Sequence, residues 1–358
     1  TALNERRMPE LVSGLLGAER SIDAREIDGA VRVVLSILCV AGKDGLEREE
    51  IARFSRSMLA GEDLEPVLAD ALRWLESPSN LLAHQRQEDD RIVATALGTA
   101  GAKAGLPPDV VAGFGRLFRD LFSVDANMEV LRQLSGLDVL LLAEILGTRG
   151  FVGGRFSEGL AKAVDDWASA ARDKSVLFQK WIRGSKEFSQ AASIYGSLGV
   201  TMDPKRKSGE RSAAYTRMRD AIVLWSRGMG VRWEDLGRRW GLDSDQVAED
   251  EWIRSRSWLI AGFAELCDLR CFYFHLREEC GASDETIKQA KRYLQRLRAV
   301  CYKLLGRLKY CSPLGPLVVR MKSSGAKGVG KATIDKLEAA GLASPDAIRV
   351  LTDDQIRA

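Results

Sequence analysis

Apolar residues return at spacings of three and four along almost the whole of this chain, the repeat that lines one face of an α-helix. Only two short stretches, 81–85 and 91–97, read as strands. Such patterning commits the chain to a mainly α fold, because a helical repeat does not alternate across a sheet. At 358 residues there is room for two or three domains with cores of their own. The net charge is +3, so the chain as a whole is no polybasic binder, and the charge is segregated along it instead. Six cysteines without paired short spacings fit reduced thiols and a cytoplasmic location. No membrane segment or secretory signal is expected.

Residues 1–22, with Pro9 and many small and polar neighbours, read as a linker or the end of a preceding domain, and the chain opens on Thr1 rather than Met. Residues 23–105 form the first expected unit. Ile27, Val31, Val34, Leu35 and Leu38 mark a helix over 27–40, which Gly42-Lys-Asp-Gly45 breaks. Ile51, Phe54 and Met58 mark a second over 46–59, and Val67, Leu68, Ala71, Leu72 and Leu75 a third over 66–75. The two strands follow, joined by the charged turn Gln87-Glu-Asp-Asp90. Three helices and a hairpin make a winged helix. Glu62, Asp63, Glu65, Asp70 and Glu76, against Arg73, give its third helix a face that repels phosphate, so it is expected to pack against another domain. The small-residue stretch 95–108 reads as a linker.

Residues 106–316 read as a multi-helix bundle, with helices over 109–122, 137–146, 157–183, 210–227, 233–240, 245–280 and 284–308. The loop carrying Lys205-Arg206-Lys207 interrupts it and reads as solvated. Residues 233–247 resemble a helix–turn–helix, with Gly241 ending the first helix and Asp243 or Ser244 capping the next. The long helix after it carries Trp252, Arg254, Arg256 and Trp258. Aromatic and Arg side chains on one helix suit a single strand, whose bases stack on indole and whose phosphates pair with guanidinium. By spacing alone, the favoured reading of Trp252 and Trp258 is bundle core.

Residues 317–358 close on Gly328-Val-Gly-Lys331, which reads as a helix–hairpin–helix. Gly328 and Gly330 let the turn tighten and bring backbone N–H groups near a phosphate, the following helix points its positive end there, and Lys327 and Lys331 flank it. Ala332, Ile334, Leu337 and Ala340 supply its buried face, and Gly341 ends the helix. From Thr286 to Ile334 there is no Asp or Glu, while Lys and Arg recur. The same glycines nearly spell a P-loop, but Ala332 stands where Ser or Thr would hold magnesium, so ATP binding is not expected there.

Cys267, Cys271 and His275 recur at spacings of four, with Cys280 and Cys301 further on. A single apolar helix does not wrap a tetrahedral ion, so no metal is expected. With His84 and His275 the only histidines, and no recognisable nucleophile setting or carboxylate pair, no catalytic residue is assigned.

In this order the units resemble the accessory half of superkiller-type helicases of superfamily two, nearest the archaeal repair helicases and the helicase domain of polymerase theta. The similarity rests on Ile51-Ala-Arg-Phe-Ser-Arg-Ser-Met-Leu-Ala60, Ala71-Leu-Arg-Trp-Leu75, Thr95-Ala-Leu-Gly98, residues 233–259, and Gly328 through Leu342. The resemblance implies a ratchet helix on which Trp258 stacks a base of single-stranded or forked DNA. The family often has an Arg two turns earlier, where Glu251 stands, so Arg254 or Arg256 would have to replace it. It also implies 3′–5′ translocation in DNA repair, driven by ATP and magnesium in motor domains held in cis or in trans. No motor motif lies in this sequence. The competing expectation is a non-enzymatic adaptor that recruits a nuclease, polymerase or defence partner.

Overall fold

The computed structural model describes residues 27–57, 64–123, 125–147, 158–170, 208–242 and 246–351, and these are mainly helical. Lys205-Arg206-Lys207, Met58, Glu62, Asp63, Asp243 and Ser244 lie outside the described residues, as do residues 171–183 of the expected long helix. The chain divides into two compact units that cut across the boundaries read from sequence. One is drawn from Thr1–Leu131 and Glu265–Gln295, the other chiefly from Arg132–Tyr195, Val200–Ala264 and Arg296–Ala358.

The first unit opens with α1 (Ile27–Ala41), α2 (Arg48–Arg56) and α3 (Leu64–Glu76), followed by β1 (Ala83–Gln85) and β2 (Ile92–Ala94). The strands pair antiparallel, Ala83 with Ala94 and Gln85 with Ile92, and Leu46 bridges to Ile92 from the turn after α1. Val31, Val34, Leu35 and Leu38 of α1 are buried with Ile51, Leu68, Leu72, Leu75 and Ile92, the stripe the spacing predicts. The acidic side chains of α3 are largely paired: Arg56 with Glu65, Arg73 with Asp70 at 2.6 Å, and Arg48 with Glu76 at 3.0 Å. Such exposed pairs add little stability, but they blunt the field that the sequence assigned to this face.

The expected linker at 95–108 is instead helical over α4 (Ala96–Lys103). Thr95 caps it by accepting from the Gly98 N–H at 3.0 Å, while its own hydroxyl donates to the Leu81 carbonyl. The small residues serve close packing, not flexibility. A Cβ on Gly98 would stand 2.2 Å from the Leu82 carbonyl oxygen, and one on Gly101 2.4 Å from Val111. Next, α5 (Pro108–Ser123) buries Phe114, Phe118 and Phe122, with Phe118 stacked 5.3 Å from Phe272. Arg116 donates to the Asn80 side chain, and Arg119 to the Pro78 carbonyl, so α5 grips the turn between α3 and β1.

The chain continues through α6 (Asp125–Gln133), α7 (Gly136–Leu146), α8 (Glu158–Ala170), α9 (Ser208–Gly228), α10 (Trp233–Trp240) and α11 (Gln246–Leu266). In the second unit α7 is apolar on nearly every side and packs along α9, as a helix enclosed on all faces must be. The helix expected over 245–280 stops at Leu266. Asp268 takes an extended backbone, and its carboxylate accepts from the Arg270 N–H at 2.9 Å, starting a 3₁₀ turn over Leu269–Cys271 instead. Then follow α12 (Asp284–Tyr310), α13 (Gly315–Ser323), α14 (Lys331–Ala339) and α15 (Pro345–Arg349). Among the described residues no helix is long and apolar enough to cross a membrane.

Substituting Gly98 with alanine tests the packing account of α4. The added methyl meets backbone rather than a yielding side chain, and urea unfolding should show a loss of about 1–3 kcal/mol. A neutral result would mean that the α4 contact is loose.

Candidate nucleic-acid interface

Helix α11 is held by one buried carboxylate. Glu144 of α7 accepts from Arg256 Nε at 2.7 Å, from Arg256 Nη2 at 2.9 Å and from Trp252 Nε1 at 3.3 Å. Trp252 is 0 % exposed and meets Trp233 edge-on at 6.0 Å. Leu259, Ile260 and Phe263 complete the packed side. Each residue turns the helix by about 100°, so Arg254 and Trp258 project away from Trp252 and Arg256. Both are exposed, Trp258 at 43 %, beside exposed Asp250 and Glu251.

This geometry separates residues that the sequence placed together. Arg256 is 3 % exposed and bound at both ends of its fork by Glu144, so it does not reach a phosphate in solvent. The reading of Arg256 as a phosphate contact is corrected, and Arg254 is the exposed arginine of α11. The reading of the two tryptophans as bundle core holds for Trp252 and fails for Trp258.

The C-terminal turn is built on a small core. Tyr310, Leu314, Val318 and Ile334 are buried together, with Val329, Leu337 and Ile348 packed against them. Helices α12 and α13 meet backbone to backbone: a Cβ on Gly315 would stand 2.0 Å from the Gly306 carbonyl oxygen. Ser312 donates to Glu338 Oε1 at 2.8 Å, tying the bend before α13 to α14. Between α13 and α14, Gly325 and Gly328 take φ of +89° and +73°, where glycine is favoured. Gly330 differs from expectation. Its backbone is extended, a conformation open to any residue, and its N–H donates to Thr333 Oγ1 at 3.2 Å. Ala332 and Ala340 are exposed, so the buried face of α14 is Ile334 with Leu337. Gly341 follows α14 with φ +79°, as a helix-ending glycine should.

Lys327, Gly328 and Lys331 are exposed on this turn. Lys331 pairs with Asp335 at 3.1 Å, an exposed contact that a phosphate can replace at small cost. The sequence reading omitted Lys322, whose Nζ lies 4.0 Å from where a Cβ would stand on Gly330. The acid-free stretch from Thr286 to Ile334 was the signal that could have found it. Lys309 and Lys322 both place Nζ over the Tyr310 ring, at 5.8 and 5.7 Å.

Among the described residues no group of three His, Cys, Asp or Glu side chains could hold a metal ion. Cys267 follows the end of α11, so the sequence's helical alignment of Cys267, Cys271 and His275 does not form. Phe272 is buried, whereas Tyr273 and Phe274 are exposed. The glycine-rich turn follows a helix, not the strand a P-loop needs. No protein-family model matches this chain, and no curated protein matches it in sequence.

Close to Glu144 lies a second buried pair, Arg219 with Asp220 at 2.7 Å. Burial pushes the Asp220 carboxyl up from 3.8 to about 7; Arg219 opposes that shift, and Glu144 adds to it. One carboxylate oxygen of Asp220 has no hydrogen-bond partner, which fits a retained proton. Because the folded value is the higher one, this group's stabilising effect is complete below pH 3.8 and is lost as pH rises towards 7. Urea unfolding across pH 4 to 8 should therefore show a shallower fall in stability for Asp220→Asn than for the wild type. Parallel curves would sink this assignment. Arg256→Ala, which strands Glu144, should cost about 3–5 kcal/mol of stability.

Proposed function

We propose that this chain is the single-strand-gripping C-terminal region of an ATP-dependent 3′–5′ DNA helicase, whose motor domains lie outside this sequence. The observation that carries the reading is Trp258. A large aromatic side chain stands in solvent on a helix whose opposite side is fixed by the Glu144 network, with Arg254 one turn away. Such a side chain offers a face to any base, and the neighbouring guanidinium offers charge to its phosphate.

In this reading α1–α3 with the β1–β2 hairpin form a winged helix that braces the motor. The helices of the second unit form the ratchet bundle, and α13–α14 form a helix–hairpin–helix. Lys327, Lys331 and Lys322 bring positive charge to the turn at Gly328, a composition that suits backbone contact without base readout. Stacking on Trp258 contributes roughly 1–3 kcal/mol per base. That biases the direction of slip, while ATP hydrolysis in the motor supplies the stepping.

Fluorescence anisotropy of a labelled single-stranded oligodeoxynucleotide, titrated at several salt concentrations, tests the reading. Trp258→Ala should weaken binding by about tenfold or more, and Lys331→Ala should reduce the slope of log affinity against log salt by about 0.7. Wild-type affinity and slope in both variants would overturn the assignment of these sites.

A further inference from the structure

Beyond the 3₁₀ turn of the first unit, residues His275–Glu279 form a single π turn, a rare element that recurs at functional sites. Its closing hydrogen bond runs from the Cys280 N–H to the His275 carbonyl at 2.9 Å and brings Cys280 back beside the His275 side chain. Cys280 Sγ then lies 3.4 Å from His275 Nε2. On the far side of the ring, Nδ1 is 2.6 Å from Glu279 Oε2. The ring edge also meets α5, where Nε2 is 3.2 Å from the Arg119 carbonyl oxygen and 3.5 Å from Ser123 Oγ. His275 is thus fixed from three sides, while Cys280 itself is exposed.

We propose that Cys280 is an oxidant-sensitive thiol that reacts with hydrogen peroxide, with His275 taking its proton and Glu279 positioning the imidazole. A nucleophile, a base within reach and a third group orienting the base are the arrangement that activates a weak nucleophile. The thiol proton passes to Nε2, whose N–H then donates to the Arg119 carbonyl oxygen. Sulfur attacks one peroxide oxygen, and the S–O bond forms as the O–O bond breaks. Sulfur is oxidised by two electrons to a sulfenic acid, and the released hydroxide takes the proton back from Nε2 as water.

The other five cysteines provide the contrast. Cys267 and Cys301 are buried. Burial pushes the Cys39 thiol up to about 11 and the Cys271 thiol to about 12, and raises that of Cys311 as well. Desolvation disfavours the thiolate at Cys39, Cys271 and Cys311, and burial shields Cys267 and Cys301, so the chemistry is directed to one site.

The test treats the whole chain with hydrogen peroxide, traps sulfenic acid with a 1,3-dione, and locates the adduct by peptide mass spectrometry. Cys280 should be labelled first, and Cys280→Ser should lose that adduct. His275→Gln should slow labelling at Cys280 by about tenfold, and Glu279→Gln by a smaller factor. Unfolding would accelerate labelling at Cys271 and Cys267, so slowing at Cys280 with those two unchanged identifies loss of the base. Labelling of Cys280 no faster than in a free peptide of residues 272–286, or unchanged rates in both variants, would overturn the proposal.

Discussion

The carboxylate of Glu144 decides which way α11 faces. A buried carboxylate without donors is costly, and this one finds three N–H groups on Arg256 and Trp252. Those bonds fix the rotation of α11 about its axis, and every other side chain of the helix inherits that rotation. A turn of one residue would bury Trp258 or expose Trp252. Replacing the ion pair with apolar groups of similar volume could preserve stability, but apolar packing tolerates several rotations where a forked hydrogen-bonded pair tolerates one. The network matters more for orientation than for net free energy.

Local periodicity made the helices legible. The stripes on α1, α5 and α10 follow directly from spacing, and α10 ends where Gly241 allows a left-handed turn. Among the elements that were not legible, two show different reasons. In α4, glycine and alanine look like linker residues because their purpose, close approach to Leu82 and Val111, depends on partners elsewhere in the chain. At the end of α11 the apolar pattern runs on through Leu269 and Phe272, but Asp268 offers the backbone a competing local bond. Pattern records which residues are apolar, not whether the backbone has a better alternative.

The candidate interface was legible in part. Exposed Trp258, Arg254, Lys327 and Lys331 stand where the sequence reading wanted accessible groups. Arg256 could not have been told from Arg254 by composition, because the distinction lies in Glu144, more than a hundred residues earlier in the chain. Lys322, in the last turn of α13, places its Nζ near Gly330, and the acid-free stretch around it was the one sequence signal for that. His275 and Cys280 likewise meet through a π turn, a geometry that no spacing rule for α-helices anticipates.

Under the proposed function the two grips differ in how they are supported, and the difference suits movement. Trp258 rises from a helix pinned by buried, charge-assisted bonds, so its ring can bear a stacked base without yielding. The Gly328 turn rests on a few apolar side chains and offers charge on flexible lysine stems. Contacts of that kind attract any phosphate and hold none in one geometry, because each ammonium reaches many positions. A strand that must advance one nucleotide at a time needs both properties: a rigid surface that every base meets alike, and a diffuse field that costs little to slide through. Strong, directional bonds to the strand at both places would oppose each step by more than stacking could gain, and of the two arginines on α11 the one already held by Glu144, Arg256, is turned inward, away from that task.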